Sequence, residues 1–173
     1  TWMERQGIPP IGGGLSLSHM LHLQHDRPDV HARTAAWLEV MDLVNLRLTG
    51  VVAANQCTQF TAQLTDNRSL GVTEYDPDLA AWSGIDADRL PRLLAPGEVH
   101  GTLLPEVAAE LGLPVGVRVV AAMNDSQAGA LATGAFEPGR AILVEARHVK
   151  LHDGARAVLG GLGRVDRAIQ PCL

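Results

Sequence analysis

The chain has 173 residues, of which 46% are hydrophobic and 19% charged, and it carries a formal net charge of -5. That balance suits a folded globular protein and excludes a disordered one. The 14 basic residues form no block, which excludes nucleic-acid binding that depends on clustered Lys and Arg. The length suits one substantial domain, or one domain and part of another. Aromatic residues are only 3%, so the core must be built mainly from Leu, Val, Ala and Ile.

The opening segment "TWMERQGIPPIGGG" lacks the charged leader and apolar stretch of a signal peptide, and position 1 is not Met. The expectation is a chain that begins inside a longer protein. Within it "GIPPIGGG" reads as a loop. "LSLSHMLHLQHDRP" then spaces Leu17, Met20, Leu21 and Leu23 for a short helix. From Pro28, the residues Val30, Trp37, Leu38, Met41, Val44 and Leu48 recur near a 3.6-residue period. This predicts a helix opened by Pro28 and stopped at Gly50. Residues 65–78 read as a turn-rich connection, followed by a short helix from Pro77 to about Gly84. "GEVHGTL" predicts a short strand, and Pro105 starts a helix that Gly112 stops. "LPVGVRVVAAM" gives a turn and then a buried strand over 117–122, in a mixed sheet, with a helix beginning within two residues of Asp125. Helices alternating with short apolar strands make the fold class α/β. From Arg147 the hydrophobic period weakens and Gly becomes frequent, which predicts a boundary or a disordered end between 147 and 155.

Few residues offer chemistry. Cys57 and Cys172 are far apart and match no metal-ligand spacing, as for free thiols in a cytosolic protein. No apolar run approaches a membrane span. Lys150 is the only lysine. His19, His22 and His25 are spaced i, i+3, i+6, with His31 beyond. That spacing drifts round a helix and cannot aim three rings at one metal. "GGLGR" lacks the lysine of a phosphate-binding loop.

Asp125 stands apart. It falls where a strand's carboxyl end passes into a helix, the place where open α/β sheets put their ligands. The small residues Ser126, Ala128, Gly129 and Ala130 allow close approach to the backbone, and a helix N-terminus favours the ionised carboxylate. The sequence leaves two readings open: Asp125 caps the helix, or it acts as a base.

From Leu21 to Val144 the chain resembles the FGGY family of carbohydrate kinases. "HLQHDRPDVHARTAAWL" is similar to the family's helix pair, with His22 where a Trp often stands. "DLVNLRLTG" is similar to its D-x-L-x-x-x-L-T-G element. "GIDADRLPRLLAPGEVHGTLLPEVAAELGLPVGVRVVAAMND" resembles the run toward the catalytic aspartate, and "GALATGAFEPGRAILV" the glycine-rich passage into the second lobe. The resemblance implies an actin-like, ribonuclease-H-like ATPase fold. Residues 1–140 would be the C-terminal part of the N-terminal lobe, and 141–173 the start of the second lobe or a divergent tail. It further implies a cytoplasmic enzyme that phosphorylates a sugar or polyol with MgATP, with no nucleic-acid or membrane partner.

The resemblance implies that Asp125 takes the proton of the attacking hydroxyl. Ser126 stands where the family often has Asn or Gln touching a substrate hydroxyl, so it becomes a substrate-binding residue of shorter reach. The family's phosphate-binding turns, of the types D-x-G-T-[ST] and G-T-[ST], are missing, and Glu145-Ala146-Arg147-His148 stand where the second would fall. The expectation is a kinase that is incomplete in this chain and inactive alone. Two alternatives remain: a non-catalytic sugar-binding or dimerisation module of the same ancestry, forming a homodimer, and a metal-dependent enzyme using the histidines.

Overall fold

The fold is a computed structural model that describes residues 1–9 and 12–134. The boundary expected near 140 to 155, Lys150, Cys172 and "GGLGR" lie outside the described residues. The chain opens with α1 (Trp2–Gln6), a helix that composition does not announce. Thr1 and Glu4 form a capping box at its start, and Gly7 ends it at φ 76°. Its side chains fasten the start of the chain to a distant segment. Arg5 pairs with Asp76 at 2.5 Å and with Asp78 at 2.6 Å, and it lies over the Trp82 ring.

The expected short helix is present as α2 (Ser16–Asp26), which buries Leu17 and Met20. The single helix expected from Pro28 to Gly50 is instead two, α3 (Pro28–His31) and α4 (Val40–Thr49). Tertiary docking overrides the periodicity between them. Trp37 is buried, its ring stacks on His31, and its backbone N–H donates to Arg89 O at 2.9 Å. The Arg89 guanidinium in turn donates to Thr34 O. A helix through 32–39 could not hold these contacts. Gly50 ends α4 at φ 75°, as its position predicts.

The strand β1 (Ala53–Asn55) is buried throughout and runs into a 3-10 helix at Thr58–Ala62. Residues 65–75 contain no helix or strand. Asp76 then caps α5 (Pro77–Ser83), accepting from the N–H groups of Asp78 and Leu79, and Gly84 closes it. A short 3-10 turn, Ala87–Arg89, precedes β2 (Arg92–Leu94). β3 (Val99–Thr102), α6 (Pro105–Leu111), β4 (Arg118–Val120) and α7 (Asp125–Ala132) complete the described chain. The helices at Pro77 and Pro105 and their glycine stops match the sequence expectation. No helix among the described residues is long and apolar enough to cross a membrane.

The alternation is α/β, but the strands do not join one mixed sheet. β1 pairs with β2 in parallel, Asn55 opposite Leu94, and β3 pairs with β4 antiparallel. The strand expected to be buried over 117–122 is shorter, and Arg118 and Val120 are exposed. Its only strand partner among the described residues is β3, so much of its surface stays uncovered. The larger core cluster joins Leu17 and Met20 to Trp37, Ala62, Leu64, Leu79 and Ile85. The smaller one joins Ala53, Leu94 and Ala121 and ties both strand pairs to the approach to Asp125.

Candidate active site

The passage from β4 to α7 is held at three successive backbone points. Asn45 on α4 donates its side-chain N–H to Val120 O at 3.0 Å. The Ala121 N–H donates to Glu98 O at 2.8 Å, and Asn55 Nδ2 donates to Ala122 O at 2.6 Å. Behind Asn45 lies buried His100. Its Nε2 is 2.9 Å from Val51 O, which can only accept, and this leaves Nδ1 to accept from Asn45 at 3.4 Å. Three segments thus hold a three-residue stretch of chain, each replacing water at a group that would otherwise be costly to bury.

α7 begins at Asp125, within the expected distance. Its N-cap is Asn124, whose Oδ1 accepts from Gln127 N at 3.0 Å. The reading of Asp125 as the cap is therefore corrected. Asn124 has the extended backbone a cap needs, and Asp125 is the first helical residue. Asp125 is exposed, and Ser126 alone among the described residues donates to it, through N at 2.7 Å and Oγ at 3.5 Å, both to Oδ1. Ser126 is also exposed. A carboxylate in this setting is accessible, near the positive end of a helix, and unpaired with any described cation.

Cys57 adjoins this region through its carbonyl, which accepts from Asn124 Nδ2 at 3.3 Å. Burial pushes its thiol pKa up, the opposite of a reactive thiolate. Deeper in the fold, Asp42 is fully buried, and burial raises its pKa against the lowering effect of Thr58 and Gln59. Gln59 Nε2 donates to its Oδ2 at 3.3 Å, while Oδ1 has no partner. Asp42 lies inside the fold rather than at the exposed strand end.

The histidines do not assemble. His19 bonds Gly13 O, His22 pairs with Asp26, and His31 stacks on Trp37. Among the described residues no group of three or more His, Cys, Asp or Glu could hold a metal ion. A cleft of about 240 Å³ lies between α2 and residues 37–40, lined by Ser16, His19, Trp37 and Gln59 among others. Asp125 is not among its walls. Sequence reasoning singled out Asp125 as a candidate and did not single out Asn55 and Asn124, which bond the backbone beside it. Asn124 offered a signal, being a favoured capping residue beside the predicted helix start, whereas Asn55 offered none.

An exposed acid delivered by a strand end to the first turn of a helix occupies the kind of place where open α/β sheets put their ligands. The chain belongs to the FGGY family of carbohydrate kinases: residues 3–132 match the description "FGGY family of carbohydrate kinases, N-terminal domain". It is 34% identical over 120 residues to an L-fuculokinase of Escherichia coli (strain K12), a match covering 69% of this chain and 25% of that protein. A xylulose kinase of Bacillus subtilis (strain 168) is 31% identical over 131 residues, covering 75% of this chain and 25% of that one. The crystal structure of xylulose kinase from Rhodospirillum rubrum is similar in fold, with a TM-score of 0.69 at 27% identity over 80% of this chain and 28% of that chain. The chain thus spans about a quarter of the length of the curated relatives it matches.

Proposed function

We propose that this chain is the acceptor-side segment of a kinase that phosphorylates a hydroxyl of a sugar or polyol, with Asp125 as the base. The observation that carries the reading is the place of Asp125: exposed, first in α7, and inside the segment that matches the family. An alcohol is a poor nucleophile at neutral pH. A positioned carboxylate accepts its proton as the new phosphoryl bond forms. Ser126, adjacent and exposed, is the proposed contact to a substrate hydroxyl. The lobe to which these residues belong is actin-like and ribonuclease-H-like in this reading, and the enzyme is cytoplasmic.

MgATP is the proposed phosphoryl donor, but the residues present do not grip it. Neither a D-x-G-T nor a G-T-[ST] turn occurs in the 173 residues, and the described residues hold no acidic cluster for a metal. Donor binding is therefore assigned to the part of the relatives that this chain does not match. General-base help contributes roughly 10²–10⁴-fold, and positioning of the reactants contributes more. The 173 residues alone are accordingly expected to be inactive.

The test compares this chain with a chimera in which its matched segment replaces the corresponding stretch of the Escherichia coli L-fuculokinase. Both are assayed for ATP-dependent phosphorylation of a panel of sugars and polyols. The chimera should turn over a substrate that the isolated chain does not, and Asp125→Asn should remove most of its kcat. Robust turnover by the isolated chain would overturn the segment reading.

A further inference from the structure

Two asparagines face each other across the approach to Asp125, and each divides its side chain in the same way. Asn55, at the carboxyl end of β1, accepts from Thr58 N with Oδ1 at 3.1 Å and so closes the turn that leads into the 3-10 helix, whose N-cap is Cys57. Its Nδ2 crosses to Ala122 O at 2.6 Å. Asn124 accepts from Gln127 N with Oδ1 and so caps α7. Its Nδ2 crosses back to Cys57 O at 3.3 Å. The oxygens serve the local helix starts, and the nitrogens join the two strand ends.

We propose that Asn55 and Asn124 form a reciprocal clamp that fixes where Asp125 is presented, making both positioning residues of the site. The proposal rests on the reading of Asp125 as the acceptor-side base. A local cap or turn alone does not account for asparagine at both places, since Ser, Thr or Asp would accept the same N–H. A hydroxyl carries its donor and acceptor on one atom, whereas the short amide of Asn puts them on two, so each can reach a different partner. The carboxylate itself has no tertiary anchor among the described residues, because its one donor is the adjacent Ser126. Its location is inherited from the backbone of Asn124, one residue upstream. The clamp holds that backbone on both sides, at the Ala122 carbonyl and through the Asn124 side chain. Asn45, behind it, fixes only the strand end at Val120.

Replacement by Asp separates the two uses of each side chain, because Asp keeps the accepting oxygen and loses the donor. The experiment is residue-resolved amide exchange on the full 173-residue chain, comparing wild type, Asn55→Asp and Asn55→Ala. In Asn55→Asp at pH 7, the amides of Gln127 and Ala128 should exchange at least roughly fivefold faster, as for one lost hydrogen bond. The Thr58 amide, still bonded to a carboxylate oxygen, should keep its protection; in Asn55→Ala it should lose it. As pH falls and the new carboxyl takes up its proton, it can donate to Ala122 O, so the ratio to wild type should return toward one. A role confined to the turn at Thr58 gives no such pH rescue. Unchanged exchange at Gln127 and Ala128 in Asn55→Asp, or a raised ratio that ignores pH, would overturn the clamp. No readout requires turnover, so this result stands apart from the fate of Asp125→Asn in the kinase assay.

Discussion

Gly101 offers a sharp test of how tightly the scaffold behind the site is packed. A Cβ added there would lie 2.9 Å from Thr49 Cβ, 3.2 Å from Thr49 Cγ2 and 3.2 Å from Val51 Cγ2. Carbon atoms prefer about 3.5–4.0 Å, so the nearest contact is short by at least ~0.6 Å. Thr49 cannot swing aside. Its Oγ1 donates to Asn45 O at 2.7 Å and accepts from Val51 N at 3.2 Å, and a β-branched side chain has few χ1 choices. Either β3 or the end of α4 must move. Overpacking of this kind costs about 1–3 kcal/mol, or roughly 2–12 °C in Tm for a chain of this size. Gly14 is the control, since an added Cβ meets nothing within 4 Å there. Gly14→Ala should be neutral or stabilising by up to ~1 kcal/mol through the unfolded state. Thermal and urea unfolding followed by circular dichroism would measure both variants. Gly101→Ala within ~0.5 kcal/mol of wild type would refute the packing argument. The site should feel the same change, because Asn45 lies one turn before Thr49 and holds Val120 O.

The remaining expectations concern buried titrating groups and the open surface. Burial raises the pKa of Asp42, so the folded state holds its proton more tightly than the unfolded chain does. Its stabilising contribution is full below the ordinary aspartate value of 3.8 and is lost as pH rises through the raised folded value. Asp42→Asn, which does not ionise, should therefore exceed wild type in stability by about 1 kcal/mol at pH 7 and lose that advantage at pH 3.5; no gain at pH 7 would count against it. Cys57, with its thiol pushed up by burial, should react with iodoacetamide at least ~10-fold more slowly in the native chain than in urea, measured in a Cys172→Ser background. Leu111, Leu113, Val115 and Val120 are all exposed around α6 and β4, with Val115 at 78%. The isolated chain should self-associate with rising concentration, and a monodisperse monomer by light scattering at high concentration would contradict this.

Punctuation residues made half of the fold legible. Pro77 and Pro105 mark helix starts, while Gly50, Gly84 and Gly112 take the left-handed conformation at helix ends, as their sequence places predict. What escaped depends on partners distant in sequence. "AAN" has neither alternation nor β-branched residues, and β1 exists because residues 92–94 pair with it. The stretch from Asn55 to Thr65 is mostly polar in composition, yet Asn55, Gln56, Thr58, Gln59, Gln63 and Thr65 are buried. Their amides and hydroxyls replace water for one another and for nearby backbone, as Gln56 does for Ser69 O and Gly71 N. The helix expected across 32–39 failed for the same reason, since Trp37 gains more from docking on Arg89 and His31 than from continuing a helix. At the candidate site, the helix start at Asp125 was legible from local pattern. The hydrogen bonds of Asn55 and Asn124 across to it were not, because each joins residues 67 apart in sequence.

The assignment of the cap to Asn124 changes what a substitution at Asp125 can mean. A residue that both caps a helix and takes a proton confounds the two effects, because its loss weakens the fold by ~1 kcal/mol along with the chemistry. Here the cap hydrogen bond belongs to Asn124 and remains in any Asp125 variant. Asp125→Asn also keeps an oxygen to accept from Ser126 N, so the local turn survives. What it removes is the charge, and a first-turn acid on an exposed helix end contributes only ~0.3–1 kcal/mol. The variant should thus lower Tm of the 173-residue chain by no more than a few degrees. In the chimera it should cut kcat by roughly 10²–10⁴-fold with KM little changed, since the proton moves only as the transition state forms. A large loss of stability with activity intact would make Asp125 a structural acid. A KM that rises with kcat unchanged would instead place Asp125 in ground-state binding of the sugar rather than in proton transfer.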